Sequence, residues 1–399
     1  MTDDALVKAV DASLPVAVGM ATRYCLTAAS EVAAETGRPV MVVASRRQVD
    51  TVAGSGYLGW STGQWCAARR HPPGAEALGR VGHNVLLARD HAGPYQHPDD
   101  LADGGVPLTT AMATTIEALR RDIESGVDLI HIDTSLGSGG RPERPAIARQ
   151  RAIDLVEHCV RVAARHRRRV GFEVGVETQV DQIDDPMAYL ADLVPLLRDL
   201  RRVCDVAPLF VVARTGTRVS GLGNSGVLAL RPDSRTARLQ LGLLGTLVQA
   251  TGSRLKAHGC DFLPVPAIRS LRDAGAWMNV SSELGAVQTT AVLRAARSVG
   301  LDAAADAFCD EAVRAGCWRE PGNRDSVVLS DDEKVALGGA SLFAGATFAD
   351  LRDRLDAALA SRGGSTARLA IDAAKQVISR YLDVGGVRRA APPRPAHRM

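Results

Sequence analysis

The sequence predicts a TIM (β/α)8 barrel with a helical C-terminal extension. Eight short segments rich in Val, Ile and Leu recur over the first 281 residues, and segments of helical length rich in Ala, Leu, Arg and Glu separate most of them. Apolar strands joined by crossover helices are typical of a parallel sheet covered on both faces. Eight repeats favour closure into a barrel. A doubly wound sheet is the alternative, but the first strand lacks the glycine-rich phosphate turn usual in that fold.

Each predicted strand is bounded by polar or turn residues, and the helices between them carry apolar residues three and four positions apart. The strands are predicted at residues 15–20, 39–44, 84–89, 128–133, 170–174, 208–214, 253–259 and 276–281. Two of the clearest predicted helices follow the third and fourth strands, at residues 109–126 and 145–166.

The strand pattern stops at about residue 300, which divides the chain into three predicted parts. Residues 1–300 form the barrel and residues 301–383 form helices packed on it. The Pro- and Arg-rich residues 384–399 are predicted to be a disordered tail.

Composition excludes several partner classes. The 399 residues carry a net charge of +3, spread along the chain, which does not indicate a nucleic-acid partner. No apolar run reaches the roughly 18 residues that a membrane-spanning helix needs. We therefore expect a cytoplasmic protein without a membrane partner.

Polar residues that can carry chemistry stand at the carboxyl ends of six predicted strands, where the active sites of TIM barrels lie. A single His at a strand end is more often structural, but several directed at one mouth indicate a site. In strand order they are Asp90 and His91, His131 and Asp133, Glu173, Arg214, then Lys256, His258 and Asp261, and finally Asn279 and Glu283.

Three of these residues predict a metal site. His91, Glu173 and His258 could supply two imidazoles and a carboxylate with one position left open, the pattern of a catalytic divalent ion, of which zinc is the expected one. Asp90, Asp133 and Asp261 would then be catalytic proton donors or acceptors, or partners of the ligating imidazoles.

A set of ordered motifs carries a resemblance to a known family. The motifs are "SRRQVDTVAGSGYLGW", "RDHAGP", "LIHIDTS", "GFEVGVE" and "LKAHGCDF". In that order and at these separations, the sequence from about residue 15 to 300 resembles the family of the class II D-tagatose-bisphosphate aldolase accessory subunit, which includes ketose-phosphate 4-epimerases.

The resemblance implies a barrel related to zinc-dependent ketose-bisphosphate aldolases, which either assists a partner aldolase subunit or acts as an epimerase itself. By motif, it carries over the six pocket residues Asp90, His91, Asp133, Glu173, His258 and Asp261, and two residues of an early loop, Gln48 and Asp50. A protein serving only as a scaffold would not need a metal-ligand set, which favours an enzyme. The residues predicted to bind substrate are Gln48, Asp50, His131, Arg214, Arg218, Lys256 and Glu283.

Two segments depart from the family pattern. This chain has "ARTGTRVSG" after the sixth strand, where the family has Gln-Pro-Gly-Val, and "NVSSELGAVQTTAVL" after the eighth, where it has Val-Gly-Pro and a Phe-Ala-Leu-Arg-Glu helix. Barrels often seat a substrate phosphate near the last two strands. The far end of the substrate is therefore expected to lack that phosphate, or to bind it through Arg214 or Arg218.

The predicted function is metal-dependent epimerisation of a ketose or ketose phosphate at C4, by retro-aldol cleavage and re-addition. The same pocket would serve an aldolase if the aldehyde left. A further alternative is epimerisation at C3 by proton transfer, with Glu173 and Glu283 as the paired acids that flank the carbon. A non-catalytic subunit that stabilises a class II aldolase is the alternative from another class of function. The expected protein partner is either such an aldolase subunit or a second copy of this chain.

Overall fold

Eight parallel strands close into a barrel in a computed structural model that describes residues 4–74, 84–175, 181–319 and 328–383. Each strand pairs with its neighbours in sequence, and the first strand also pairs with the eighth. The predicted fold class is confirmed. The strands, from the first to the eighth, are Val16–Gly19, Val40–Ala44, Val85–Ala92, Leu129–Ile132, Gly171–Gly175, Phe210–Val212, Arg254–Ala257 and Trp277–Val280.

Helices surround the barrel, and a short hairpin of Val219–Ser220 and Gly223–Asn224 follows the sixth strand. The helices are α1 Asp4–Ala12, α2 Tyr24–Thr36, α3 Thr62–Ala68, α4 Pro98–Leu101, α5 Leu108–Ser125, α6 Pro145–Arg165, α7 Pro186–Cys204, α8 Val227–Leu230, α9 Arg235–Ala250, α10 Val265–Asp273, α11 Ser282–Ser298, α12 Asp302–Ala315, α13 Asp331–Gly338, α14 Ala346–Leu359 and α15 Thr366–Asp383.

Local sequence sets the helix ends. Ser61 and Gln64 form a reciprocal capping box at the start of α3. Asp185 accepts two backbone N–H groups before Pro186 opens α7. Gly37 adopts φ 67° at the end of α2, a left-handed conformation that glycine takes without a steric penalty.

Helix α1 packs against the inside of the barrel at the end opposite the candidate site. Leu6 and Val7 contact a core that includes Met41, Phe210 and Trp277, all from barrel strands. Phe210 and Trp277 meet edge to face, with ring centroids 4.9 Å apart. These apolar side chains fill the amino-terminal half of the barrel. The polar residues lie at the other end.

The C-terminal extension consists of helices α12 to α15 in the described residues, and α15 packs against both α2 and α11. Arg368 and Lys375 of α15 each lie 2.7 Å from the carboxylate of Glu31 on α2. The predicted tail at residues 384–399 lies outside the described residues. No helix in the described ranges combines the length and the apolarity that crossing a membrane requires.

A buried ion pair links the third strand to α5. The side chains of Arg89 and Asp122 are each 1% exposed, with Nη2 of Arg89 2.7 Å from Oδ1 of Asp122. Nη1 of Arg89 also donates to the carbonyl oxygen of Val49 at 2.6 Å and to that of Ala44 at 3.1 Å. The pair therefore fixes the loop after the second strand.

Asp122→Ala is expected to lower the free energy of unfolding by about 3–5 kcal/mol, because it leaves the Arg89 guanidinium buried without its carboxylate. Arg354→Ala, which removes an exposed pair with Asp350, should change it by less than about 1 kcal/mol. Denaturant unfolding of both variants tests this. A loss below about 1 kcal/mol in Asp122→Ala would contradict the structural role assigned to the pair.

Candidate active site

A β-bulge in the third strand presents Asp90 and His91 together. The pairing with the fourth strand shifts between Arg89 and Ala92, so that the third strand carries one extra residue there. His91 has φ 47°, a left-handed conformation uncommon outside glycine. Successive side chains of a regular strand point to opposite faces, and a bulge re-aims one of them. The bulge thus explains how two adjacent residues serve one site.

The turn at Gly93 brings the third and fourth strands into close contact. A Cβ atom at Gly93 would lie 1.6 Å from the carbonyl oxygen of Asp133. No residue with a side chain fits there, so glycine is required for the bulge to lie against Asp133.

Three imidazoles and one carboxylate gather at the carboxyl ends of the strands. The ring centroids of His91, His131 and His258 lie 5.2–5.4 Å from one another. One potential ligand atom from each of these residues and from Asp90 lies within 4.8 Å of all the others. Nε2 of His131 is buried without a hydrogen-bond partner. A buried nitrogen of this kind, among other imidazoles, fits a divalent metal ion.

Two aspartates orient two of the imidazoles. Nδ1 of His91 lies 3.1 Å from Oδ2 of Asp133, and Nδ1 of His131 lies 3.3 Å from Oδ1 of Asp90. An ionised carboxylate only accepts, so Nδ1 carries the proton in each ring and the lone pair of the neutral ring is on Nε2. Carboxylate and imidazole pairs of this kind are the usual support of metal-ligating histidines.

The carboxylates of this group are held ionised. Burial alone would raise the pKa of Asp90, but His91 and His258, when protonated, and the hydrogen bond from His131 hold it well below its usual range. Burial opposes ionisation of Asp133 too, and the hydrogen bond from His91 and the charge of His131 nevertheless lower its pKa. Both groups are therefore proton acceptors at neutral pH.

Glu173 bridges Lys256 and His258 beneath the imidazoles. Oε2 of Glu173 lies 2.5 Å from Nζ of Lys256, and Oε1 lies 3.1 Å from Nε2 of His258. Burial is outweighed first by the charge of Lys256 and then by the histidines, which lowers the pKa of Glu173 to about 2. The ion pair holds a carboxylate in place to support His258.

The structure thus brings together most of the predicted ligands and proton-transfer groups. His131, predicted to contact substrate, lies with His91 and His258, whereas Glu173, predicted as a ligand, is hydrogen-bonded to His258 and forms an ion pair with Lys256. Which of these residues bind an ion stays a prediction.

Asp261 lies at the start of α11 and not among the imidazoles. Its Oδ1 accepts the backbone N–H groups of Ser281 and Glu283, both at 2.8 Å. Glu283 accepts the backbone N–H of Phe262 at 2.7 Å, and Nη2 of Arg380 lies 2.5 Å from its Oε1. These two predicted site residues therefore join the loop after the seventh strand to α11 and α15.

The remaining predicted substrate contacts lie around the mouth with partners in the chain. Gln48 donates through Nε2 to the Ser281 hydroxyl at 3.5 Å, and the carboxylate of Asp50 binds Arg46 at 2.9 Å. Arg214 lies 2.7 Å from Asp184, and Arg218 lies 3.6 Å from Asp181. Their roles toward substrate stay predictions.

Three further residues complete the site, two of them from the C-terminal extension. Asn279 donates through Nδ2 to Oδ2 of Asp90 at 3.0 Å. Arg380 and Tyr381 of α15 both contact Glu283, and the Tyr381 hydroxyl also donates to the carbonyl oxygen of Cys260 at 2.5 Å. The strand-end position of Asn279 was a usable signal, but no sequence signal links α15 to the mouth.

Asp261→Asn tests the charge at the start of α11. Burial, with a contribution from Glu283, outweighs the backbone hydrogen bonds and raises the pKa of Asp261 to about 7. A carboxyl group with a raised pKa stabilises the fold at low pH and loses this effect as the pH approaches the folded pKa. Asparagine keeps the accepting oxygen without the charge.

The unsubstituted protein is therefore expected to lose thermal stability relative to Asp261→Asn between about pH 4 and pH 7. Melting temperatures of both proteins across this range measure the difference. A difference that stays constant with pH would show that Asp261 does not titrate there.

The comparisons with known proteins agree with this architecture. Residues 8–181 match the family model described as D-tagatose-1,6-bisphosphate aldolase subunit GatZ/KbaZ-like. A comparison with curated proteins gives no match.

Two solved structures show the same fold. A probable tagatose 6 phosphate kinase from Sinorhizobium meliloti 1021 is 18% identical with a TM-score of 0.70, over 92% of this chain and 99% of that one. The glycerol-bound fructuronate-tagaturonate epimerase UxaE from Cohnella laeviribosi is 13% identical with a TM-score of 0.54, over 93% of this chain and 81% of that one. The family resemblance carried by the sequence motifs is thus confirmed over residues 8–181, which match the GatZ/KbaZ-like aldolase subunits.

Proposed function

We propose that this protein is a divalent-metal-dependent epimerase of a ketose or ketose phosphate, acting at C4 by retro-aldol cleavage and re-addition. The observation that carries the proposal is the buried, unpartnered Nε2 of His131 among His91, His258 and Asp90. The GatZ/KbaZ-like match supports carbohydrate chemistry of the aldolase type.

The residues that would hold the ion are His91, His131 and His258, with Asp90 at the edge of the group. Imidazole donors suit zinc, which is the proposed metal. When bound, a divalent ion supplies Lewis acidity toward the C2 oxygen and the C3 hydroxyl of a ketose. Asp133 and Glu173, whose side chains are each only 1% exposed, would act through the imidazoles to which they are hydrogen-bonded.

Asp90 is the proposed proton acceptor. Its side chain is 11% exposed, against 1% for Asp133, so of the two it is the one that can reach a substrate. Asp90 takes the proton of the C4 hydroxyl while the C3–C4 bond breaks, which leaves an aldehyde at C4 and an enediolate over C2 and C3. The aldehyde then turns, C3 attacks its other face, and Asp90 returns the proton to the new C4 oxygen. The product is the C4 epimer.

Asn279 and Glu173 have supporting roles in this scheme. Asn279 holds Oδ2 of Asp90 at 3.0 Å and so fixes the orientation of the acceptor. The Lys256 and Glu173 pair, with side chains 1% exposed, lets a charged carboxylate remain in the barrel beneath His258. Both contacts preorganise groups before substrate arrives.

The test is to incubate the zinc-supplemented protein with ketoses and ketose phosphates in deuterium oxide and to identify the products by NMR. A C4 epimer without carbon-bound deuterium is the expected result. Deuterium at an inverted C3 would instead indicate proton transfer at that carbon. Accumulation of a free aldehyde would indicate an aldolase, and absence of turnover with every sugar would contradict the proposal and favour an accessory subunit.

A further inference from the structure

The start of α11 forms a corner that adjoins the imidazole cluster. Asp261 follows His258 by three residues, and Ser281 follows Asn279 by two. Since Asn279 itself donates to Asp90 at 3.0 Å, this corner continues directly from the proposed site of reaction. In TIM barrels the backbone N–H groups of this region commonly hold a phosphate.

Here the chain's own carboxylates already use these N–H groups. Those of Ser281 and Glu283 both donate to Oδ1 of Asp261 at 2.8 Å, and that of Phe262 donates to Oε2 of Glu283 at 2.7 Å. Phe262 has φ 59°, a strained conformation for a non-glycine residue. The corner is therefore built around two acids in place of an external anion.

The charges at the corner also oppose a phosphate. Glu283 and, above its raised pKa, Asp261 carry negative charges, and they are only 5% and 4% exposed, so water screens these charges little. The guanidinium of Arg380 contacts both oxygens of Glu283, at 2.5 and 2.7 Å, and is therefore already paired with that carboxylate. The Tyr381 hydroxyl adds a hydrogen bond to Glu283 at 3.0 Å.

Arg214 and Arg218, the two predicted alternative phosphate ligands, are each paired with a carboxylate away from this corner. Nε of Arg214 lies 2.7 Å from Oδ1 of Asp184, and its backbone N–H donates to the same carboxylate at 2.9 Å. Arg218 lies 3.6 Å from Asp181. Each cation therefore already has a carboxylate partner.

We propose that this corner rejects phosphate and that the substrate presents an unphosphorylated C1 hydroxyl to it. The inference rests on the proposed function, in which the C2 oxygen and C3 hydroxyl lie at the cluster. C1 is one bond from C2, whose oxygen lies at the cluster. Because the corner adjoins the cluster, the substituent at C1 is the substituent that lies against the corner. C6 lies three bonds beyond C3 and is not constrained by it. The protein therefore acts on a free ketose or a ketose 6-phosphate, and discriminates against 1-phosphates and 1,6-bisphosphates.

The experiment compares kcat/KM for one ketohexose as its 6-phosphate, its 1-phosphate and its 1,6-bisphosphate. We expect the two forms with a C1 phosphate to be used about 100-fold less efficiently, because they place like charges together. Glu283→Gln keeps the shape of the side chain and removes one charge. It should reduce the ratio of kcat/KM between the 6-phosphate and the forms with a C1 phosphate by about tenfold. Glu157→Gln, an exposed acid on α6, is the matched control and should leave it unchanged. Equal use of the 1-phosphate and the 6-phosphate would overturn the inference.

If none of these sugars reacts, the proposed function fails, and the corner is then tested by calorimetric titration of the metal-free protein with inorganic phosphate. No saturable binding, or binding that Arg380→Ala does not change, supports a corner closed to phosphate. Saturable binding that Arg380→Ala abolishes would overturn it, because it would place the phosphate at this corner.

Discussion

His131→Ala is expected to abolish both metal binding and turnover. The substitution removes the buried, unpartnered Nε2 of the imidazole cluster. Removing a residue that only orients a metal ligand lowers the metal affinity by about 10–100-fold. Removing a ligand itself is therefore expected to lower the metal affinity by more than about 100-fold. Metal content of the dialysed protein by mass spectrometry, and 4-epimer formation by NMR, measure the two effects.

His166→Ala is the matched control, because His166 is 45% exposed and lies on the barrel exterior beside Glu124. It should keep the metal content and activity of the unsubstituted protein. Thermal unfolding of His131→Ala shows whether the barrel remains folded. A folded His131→Ala protein that retains its metal would assign the ion to the originally predicted set of His91, Glu173 and His258.

Asp90→Asn is expected to lower kcat by about 100- to 10,000-fold at saturating metal, because the amide cannot accept the C4 hydroxyl proton. Asparagine is nearly isosteric and can still hydrogen-bond to His131, so the imidazole geometry should persist. Steady-state kinetics at saturating zinc and ketose measure the effect.

Asp133→Asn separates proton transfer from metal support. Asp133 binds Nδ1 of His91 at 3.1 Å, so its loss should weaken metal binding by about 10–100-fold and be largely repaired by excess zinc. If Asp133→Asn alone keeps a low kcat at saturating zinc, while Asp90→Asn recovers, the proposed roles of the two aspartates are reversed.

Much of the barrel could be predicted because its signals are local. Each strand is an apolar run with a polar residue at its end, and this places Asp90, His131 and His258 at one mouth without knowledge of the packing. The same logic placed Glu173 there too, but a strand position does not distinguish a metal ligand from a residue that supports one. That distinction depends on Lys256, which reaches Glu173 from the seventh strand.

The corner at α11 could not be predicted for a different reason. The capping role of Asp261 depends on how the loop after the seventh strand meets the start of α11. Arg380 and Tyr381 lie almost one hundred residues after Glu283, and the described residues place α12, α13 and α14 between α11, which carries Glu283, and α15. Nothing local to Glu283 indicates that residues of a C-terminal helix would bind its carboxylate.

The metal dependence of the proposed epimerisation is tested by titrating the chelator-treated, metal-free protein with zinc while the C4 epimer of a ketose is followed by NMR. We expect that activity is absent without metal, rises in proportion to the zinc bound, and reaches its limit at one ion per chain. Undiminished epimerisation by the metal-free protein would show that metal binding at the imidazole cluster has no part in the reaction.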